Sequence, residues 1–185
     1  MPPAVQLVEI PSNALIVLIG VAGSGKSTFA LAHFRLTEIL SSDFFRAMVS
    51  DDSACQDATA DAFDLLHSAL SKRLRRGKLC VVDATNVMAH HRTRLLEQAR
   101  SFARPAIALV LDTPGELCVQ RAAARADRTV PPEIVRQQLA DLERGIDAEA
   151  EGFSNIVRLK PSDQIEIVRT TPHGDDTSRT VAAKL

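Results

Sequence analysis

Short apolar runs alternate along this chain with stretches whose apolar residues recur every three or four positions. ALIVLI (14–19), EIL (38–40), LCVVD (79–83), AIALVL (106–111) and NIVRL (155–159) are of strand length. Continuous apolar runs separated by helical patterns predict an α/β fold, a parallel sheet covered by helices on both faces. From about Thr59 to Arg76, Phe63, Leu66, Leu70 and Leu74 form a stripe at three- and four-residue steps, with Gly77 where a C-cap belongs. Another helix is expected over 90–102, ahead of Pro105, and Pro131 and Pro132 open a further one at its first turn. DQIEIVR (163–169) alternates like a final edge strand. Beyond it the chain is polar, aperiodic and rich in turn residues, which predicts one domain over residues 1–170 and a tail or linker start over 171–185.

Composition narrows the class. A chain of 185 residues suits one domain with a single sizeable core. Its 22 Lys and Arg against 23 Asp and Glu give a net charge of -1, so any nucleic-acid contact must be local. Trp and Tyr are absent, leaving Phe, His and Arg for stacking on bases. Cys55, Cys80 and Cys118 lie in no Cys-x-x-Cys pair and read as reduced thiols packed as small hydrophobes. The apolar run at 14–19 is far shorter than the ~20 residues of a membrane span, so a soluble, cytoplasmic protein is expected.

GVAGSGKS (20–27) matches G-x-x-x-x-G-K-[ST] and follows a strand. Such a loop wraps phosphate with backbone N–H groups at the positive end of a helix, while its lysine reaches the outer phosphates. Gly20, Gly23, Ser24, Gly25, Lys26, Ser27 and Thr28 are therefore the expected contacts to ATP or another nucleoside triphosphate, with Ser27 as a Mg²⁺ ligand. Asp83, at the carboxyl end of its strand, either holds the same metal or caps the next helix. No Asn-Lys-x-Asp, His-Arg-Asp or Asp-Phe-Gly stretch occurs, which argues against a GTPase switch and a protein kinase. A small phosphotransferase and a hydrolytic switch remain.

Two arginine-bearing stretches suggest what the phosphate is used on. Asp43 and Arg46, in SSDFFRAM (41–48), follow the second strand, where ligands bind in parallel sheets. A carboxylate there accepts a proton from an attacking hydroxyl, and an arginine one turn on clamps an anionic acceptor. The plainer alternative is that Asp43 N-caps a helix beginning at Phe44 and Arg46 is solvated. Arg121, Arg125 and Arg128, spaced by four and three, fall on one face of a helix beginning near Gly115, either closing over phosphates or forming a solvated face. Between Lys72 and Arg104 nine basic residues face two acids, a phosphate-backbone track or, by slight preference, solvated helix ends.

GVAGSGKSTFA, ILSSDFFR, AFDLLHSALSKRLRRGKLCVVDATN and CVQRAAARADR together resemble the 5′-kinase domain of bacterial polynucleotide kinase-phosphatases, from about Ala14 to Arg169. The resemblance implies a P-loop kinase fold with a helical lid and transfer of a γ-phosphate to the 5′-hydroxyl of RNA or DNA in repair. It gives Lys26 and Ser27 to nucleotide phosphates and magnesium, and makes Asp43 the general base. Arg46 goes to the phosphate next to the terminal sugar, and Arg121, Arg125 and Arg128 go to the donor phosphates. Those enzymes continue into phosphatase and nucleotidyltransferase modules, so this chain is expected to be a kinase part that such modules join covalently in a longer protein. A P-loop kinase acting on the hydroxyl of a nucleoside, sugar or antibiotic would use the same loop, base and lid.

Overall fold

The computed structural model describes residues 5–125 and 129–171. Its centre is a five-stranded, all-parallel sheet in the order β3-β4-β2-β5-β6. The strands are β2 (Leu15–Ile19), β3 (Ile39–Ser41), β4 (Cys80–Asp83), β5 (Ala106–Leu111) and β6 (Asn155–Leu159). Every residue of β2, β4 and β5 is buried, which accounts for their continuous apolar runs.

Alternation along β2 divides the core. Leu15, Val17 and Ile19 pack with Leu66, Leu70 and Leu74 of α3 (Thr59–Arg75) and with Leu95 and Ala99 of α4 (Ala89–Ser101). Ile16 and Leu18 face the other way, onto Ala30 of α1 (Lys26–His33) and Phe34. That second face holds an addition the sequence reading lacked. β1 (Val5–Pro11) pairs in parallel with β7 (Gln164–Thr170) in a separate two-stranded sheet, and Val8, Ile10, Ile165 and Ile167 lie against the same core. The final strand is thus not an edge of the main sheet, as its alternation suggested, but half of this ribbon.

Arg169 on β7 grips Glu38 with both terminal nitrogens, at 2.6 and 2.7 Å, and so ties the ribbon to the 3-10 turn (Leu36–Glu38) that leads into β3. A third cluster joins Val21 and Val87 to Cys118 and Ala122 of α5 (Gly115–Ala123) and Val135 of α6 (Pro132–Glu143). Helices α5 and α6 pack on each other. Cys80 and Cys118 are buried thiols, as expected, and Cys55 is half-buried. From residue 172 onward the expected tail lies outside the described residues. Among those residues no helix is long and apolar enough to cross a membrane.

Candidate active site

The loop after β2 is held from three sides. Gly20 N–H donates to the Thr85 carbonyl at 3.0 Å, Thr113 Oγ1 donates to the Ser24 carbonyl at 2.9 Å, and Ala22 N–H donates to Gln138 Oε1 of α6 at 2.8 Å. Gly25, at the start of α1, has φ 97°, and Gly23 has φ 81°. A Cβ on Gly23 would stand 2.2 Å from the Cys118 carbonyl oxygen, so this loop and the backbone of α5 touch in a way that only glycine permits. Asn86 braces the far side, with Nδ2 donating to the Leu18 carbonyl at 2.8 Å. Thr113 and Gln138 carry no motif, and sequence reasoning missed both.

Lys26 is buried, its Nζ donating to the Val21 carbonyl at 2.9 Å and lying 3.4 Å from Ser24 Oγ. Burial lowers its pKa to about 8, against the raising fields of Asp83, Cys118 and Asp43. Asp83 is buried at the end of β4, and burial raises its pKa despite a hydrogen bond from Ser27 and the charge of Lys26. The capping alternative for Asp83 fails, because α4 begins six residues on, at Ala89, with Met88 at its N-cap position. A serine hydroxyl joined to a carboxylate beside a phosphate loop is the sparse oxygen set that suits Mg²⁺, which otherwise keeps water and substrate phosphates as ligands. Among the described residues no group of three or more His, Cys, Asp or Glu could hold a metal unaided.

The other wall comes from α2 (Ser42–Ser50). Its N-cap is Ser41, whose hydroxyl accepts from Phe44 N–H at 3.4 Å, so Asp43 sits inside the first turn and does not cap. Nor is Arg46 solvated. It is 4% exposed, and Nη1 donates to Asp43 Oδ1 at 2.7 Å and to the Ser53 carbonyl at 3.1 Å, while Nε donates to Thr59 Oγ1 at 3.3 Å. A buried guanidinium must be paired in this way, and sequence spacing cannot reveal the partners.

Arg121 lies on α5, but the helix ends at Ala123, so Arg125 does not share its face as the spacing predicted. The physical reason is visible in the backbone: Val130 N–H returns to the Ala122 carbonyl at 3.2 Å and buries Val130 in the third cluster. Beyond the helix, Arg125 Nη2 comes to 4.0 Å from Asp43 Oδ2. Arg128 lies outside the described residues. The basic run also resolves differently from the solvated helix ends preferred for it. Arg73 and Arg104 donate to the Leu79 and Leu74 carbonyls, and buried Arg92 bonds Glu151, Asn86 and Val87. Lys26, Asp43, Arg46, Asp83, Arg121 and Arg125 all border one cleft of about 1250 Å³.

A phosphate-binding loop between the central strand of a parallel sheet and a helix, with Asp83 ending the neighbouring strand β4, defines a P-loop kinase-like domain, and that fold implies nucleotide binding. The model of a family described as AAA domain matches residues 15–147, well over half of the sequence, and the chain belongs to that family. No curated protein sequence matches it. Among solved structures, a chain of the Pnkp1/Rnl/Hen1 RNA repair complex is similar at 22% identity and TM-score 0.62, over 74% of this chain and 45% of that one. Our chain thus spans less than half the length of that relative. Kti12 from Chaetomium thermophilum, solved with ADP-AlF3, aligns at 17% identity and TM-score 0.58, over 80% of this chain and 90% of that one. A chain of the PezAT toxin-antitoxin system of Streptococcus pneumoniae aligns at 18% identity and TM-score 0.59, over 84% and 69%.

Proposed function

We propose that this domain transfers the γ-phosphate of a nucleoside triphosphate to the 5′-hydroxyl end of a polynucleotide. The observation that carries the reading is the shared cleft: the Lys26 loop and the Asp43–Arg46 pair border one space, and charges at Asp43 and Asp83 are near enough to act on Lys26. In this mechanism Asp43 accepts the proton as the acceptor oxygen bonds to the γ-phosphorus, while the bond from that phosphorus to the β–γ bridging oxygen breaks and the diphosphate leaves. Lys26 binds the outer phosphates, and Arg121 and Arg125 neutralise their charge from the α5 side. Ser27 and Asp83 would hold magnesium, which when bound supplies neutralisation of the donor phosphates. Arg46 binds the phosphate that follows the terminal sugar of the acceptor. The RNA repair complex in which a similar fold occurs is consistent with such an acceptor.

A small-molecule hydroxyl is the second reading, favoured by one observation. Arg73, Arg92 and Arg104 are engaged inside the fold, so only part of the basic run is left to meet a phosphate backbone. Incubation with γ-labelled nucleoside triphosphate, Mg²⁺ and either a 5′-hydroxyl oligonucleotide or a panel of nucleosides and sugars decides between them. Label on the strand supports the first reading; label only on small molecules overturns it.

A further inference from the structure

Two rows of side chains lead away from Arg46 along facing helices. Thr59, Phe63, His67 and Ser71 follow at four-residue steps on α3, and His90, Arg94 and Gln98 do so on α4, so each row keeps to one helix face. Arg46 itself donates to the first member, Thr59. Gln98 braces the rows midway, with Nε2 donating to the His67 carbonyl at 3.3 Å and Oε1 lying 3.5 Å from His67 Nδ1.

The cleft and a second cavity share walls along these rows. Thr59, Phe63, His67, His90 and Arg94 border the cleft, and His67 and Arg94 also border a second cavity of about 290 Å³ that reaches Ser71 and Lys72. From Thr59 to Ser71 the α3 row extends about 18 Å. Rings crowd the near end: Phe63 and His67 have centroids 6.3 Å apart, and His90 and His91 4.2 Å. Cations stand farther on, at Arg94 and Lys72. Asp64 opposes them, but its contact with Arg94 is 3.6 Å long with the two side chains 74% and 58% exposed, an ion pair that contributes little and is easily exchanged for a phosphate. Lys72 Nζ donates to the neutral Ser68 hydroxyl at 3.3 Å, and no ion pair engages it among the described residues.

Flat rings followed by exposed cations match what a single strand presents, bases to stack and a phosphate at every nucleotide. A nucleoside or sugar acceptor has no use for this extension. We propose that the α3–α4 groove carries the single-stranded acceptor beyond its first nucleotide, with bases against Phe63 and His90 and backbone phosphates at Arg94 and Lys72. This rests on the polynucleotide reading given above and extends it to the length of strand recognised.

The test compares the whole chain with the double variant Lys72→Gln/Arg94→Gln on two acceptors, a nucleoside 3′-phosphate and a 5′-hydroxyl hexanucleotide. The wild-type protein should use the hexanucleotide with a kcat/KM about tenfold higher. The double variant should lose that gain and keep its rate on the nucleoside 3′-phosphate. Equal kcat/KM for the two acceptors in the wild type, or equal losses on both in the variant, would overturn the groove. Fluorescence anisotropy of a 3′-labelled hexanucleotide separates this failure from failure of the kinase reading. Removing two phosphate contacts should lower the slope of log affinity against log salt by about 1.4. If the wild type transfers phosphate to neither acceptor, the kinase reading fails; the groove then stands if binding shows this slope change and falls if the slope is unchanged or no binding occurs.

Discussion

The Arg46 guanidinium and the Asp43 carboxylate, one turn apart on α2, meet at 2.7 Å, and the buried arginine fixes the carboxylate at the edge of the cleft. Asp43→Asn keeps the shape and an oxygen for Arg46 but removes the proton acceptor. Transfer should fall about 10²-fold or more in single-turnover assays. Ser41 caps the helix, so the cap survives the change and the weakened pair with Arg46 should cost about 1–2 kcal/mol by urea unfolding. Undiminished transfer in a folded Asp43→Asn protein would remove the base from this position.

Arg46→Ala distinguishes the two acceptor readings. If the guanidinium binds the phosphate behind the terminal sugar, the loss is large on an oligonucleotide or nucleoside 3′-phosphate and small on a plain nucleoside. Steady-state kinetics on these acceptors measure it. An equally severe loss on the plain nucleoside would favour a small-molecule kinase. The variant also frees Asp43 and Thr59 from their shared donor, so its fold must be checked by thermal melting.

Lys26 is held in the fold against its solvation. A folded pKa of about 8, below the ordinary 10.5, means that the charged form is disfavoured by burial. The sign follows: the cost is fully present below pH 8 and is relieved as pH rises from 8 towards 10.5. Lys26→Met should therefore be more stable than wild type at pH 7, by on the order of 1–3 kcal/mol, with the advantage shrinking by pH 10. The same variant should transfer no phosphate. Denaturant midpoints across that pH range test the first half, and a constant stability difference would contradict it.

Arg121 and Arg125 reach the cleft from different backbone, one on α5 and the other past its end. If both neutralise charge that grows in the transition state, alanine at either should lower kcat far more than it raises the donor KM. Unchanged kcat in both variants would return them to surface electrostatics.

The main sheet was legible because its strands are buried on both faces, and burial of that kind writes continuous apolar runs into sequence. The ribbon was only half legible. Val5, Leu7 and Glu9 are exposed while Val8 and Ile10 are buried, so β1 writes no continuous apolar run, and its pairing with β7 bridges almost the whole chain. The phosphate loop announced itself through glycines whose positive φ no other residue adopts cheaply. Thr113 and Gln138 hold that loop through single hydrogen bonds across 89 and 116 residues of sequence, and such contacts leave no periodicity to read. Arg125 was placed on the helix by spacing alone, which cannot anticipate that Val130 N–H captures the Ala122 carbonyl.

One polar contact of the ribbon has a pH behaviour that opens it to test. Burial pushes the Glu38 carboxyl up, but the bonds from Arg169 and from the Arg35 N–H outweigh burial and hold it below the usual carboxylate range. A depressed carboxylate contributes stability that is present above its unfolded pKa and is lost as pH falls through the folded one. Glu38→Gln removes the charge, leaving Arg169, whose side chain is 35% exposed, to turn towards water. The variant should lose about 1–3 kcal/mol at neutral pH, with the gap to wild type closing on acidification. Thermal melting of both proteins between pH 7 and pH 3 measures that gap. A gap that stays constant across the range would mean that the Glu38 charge is not what anchors β7.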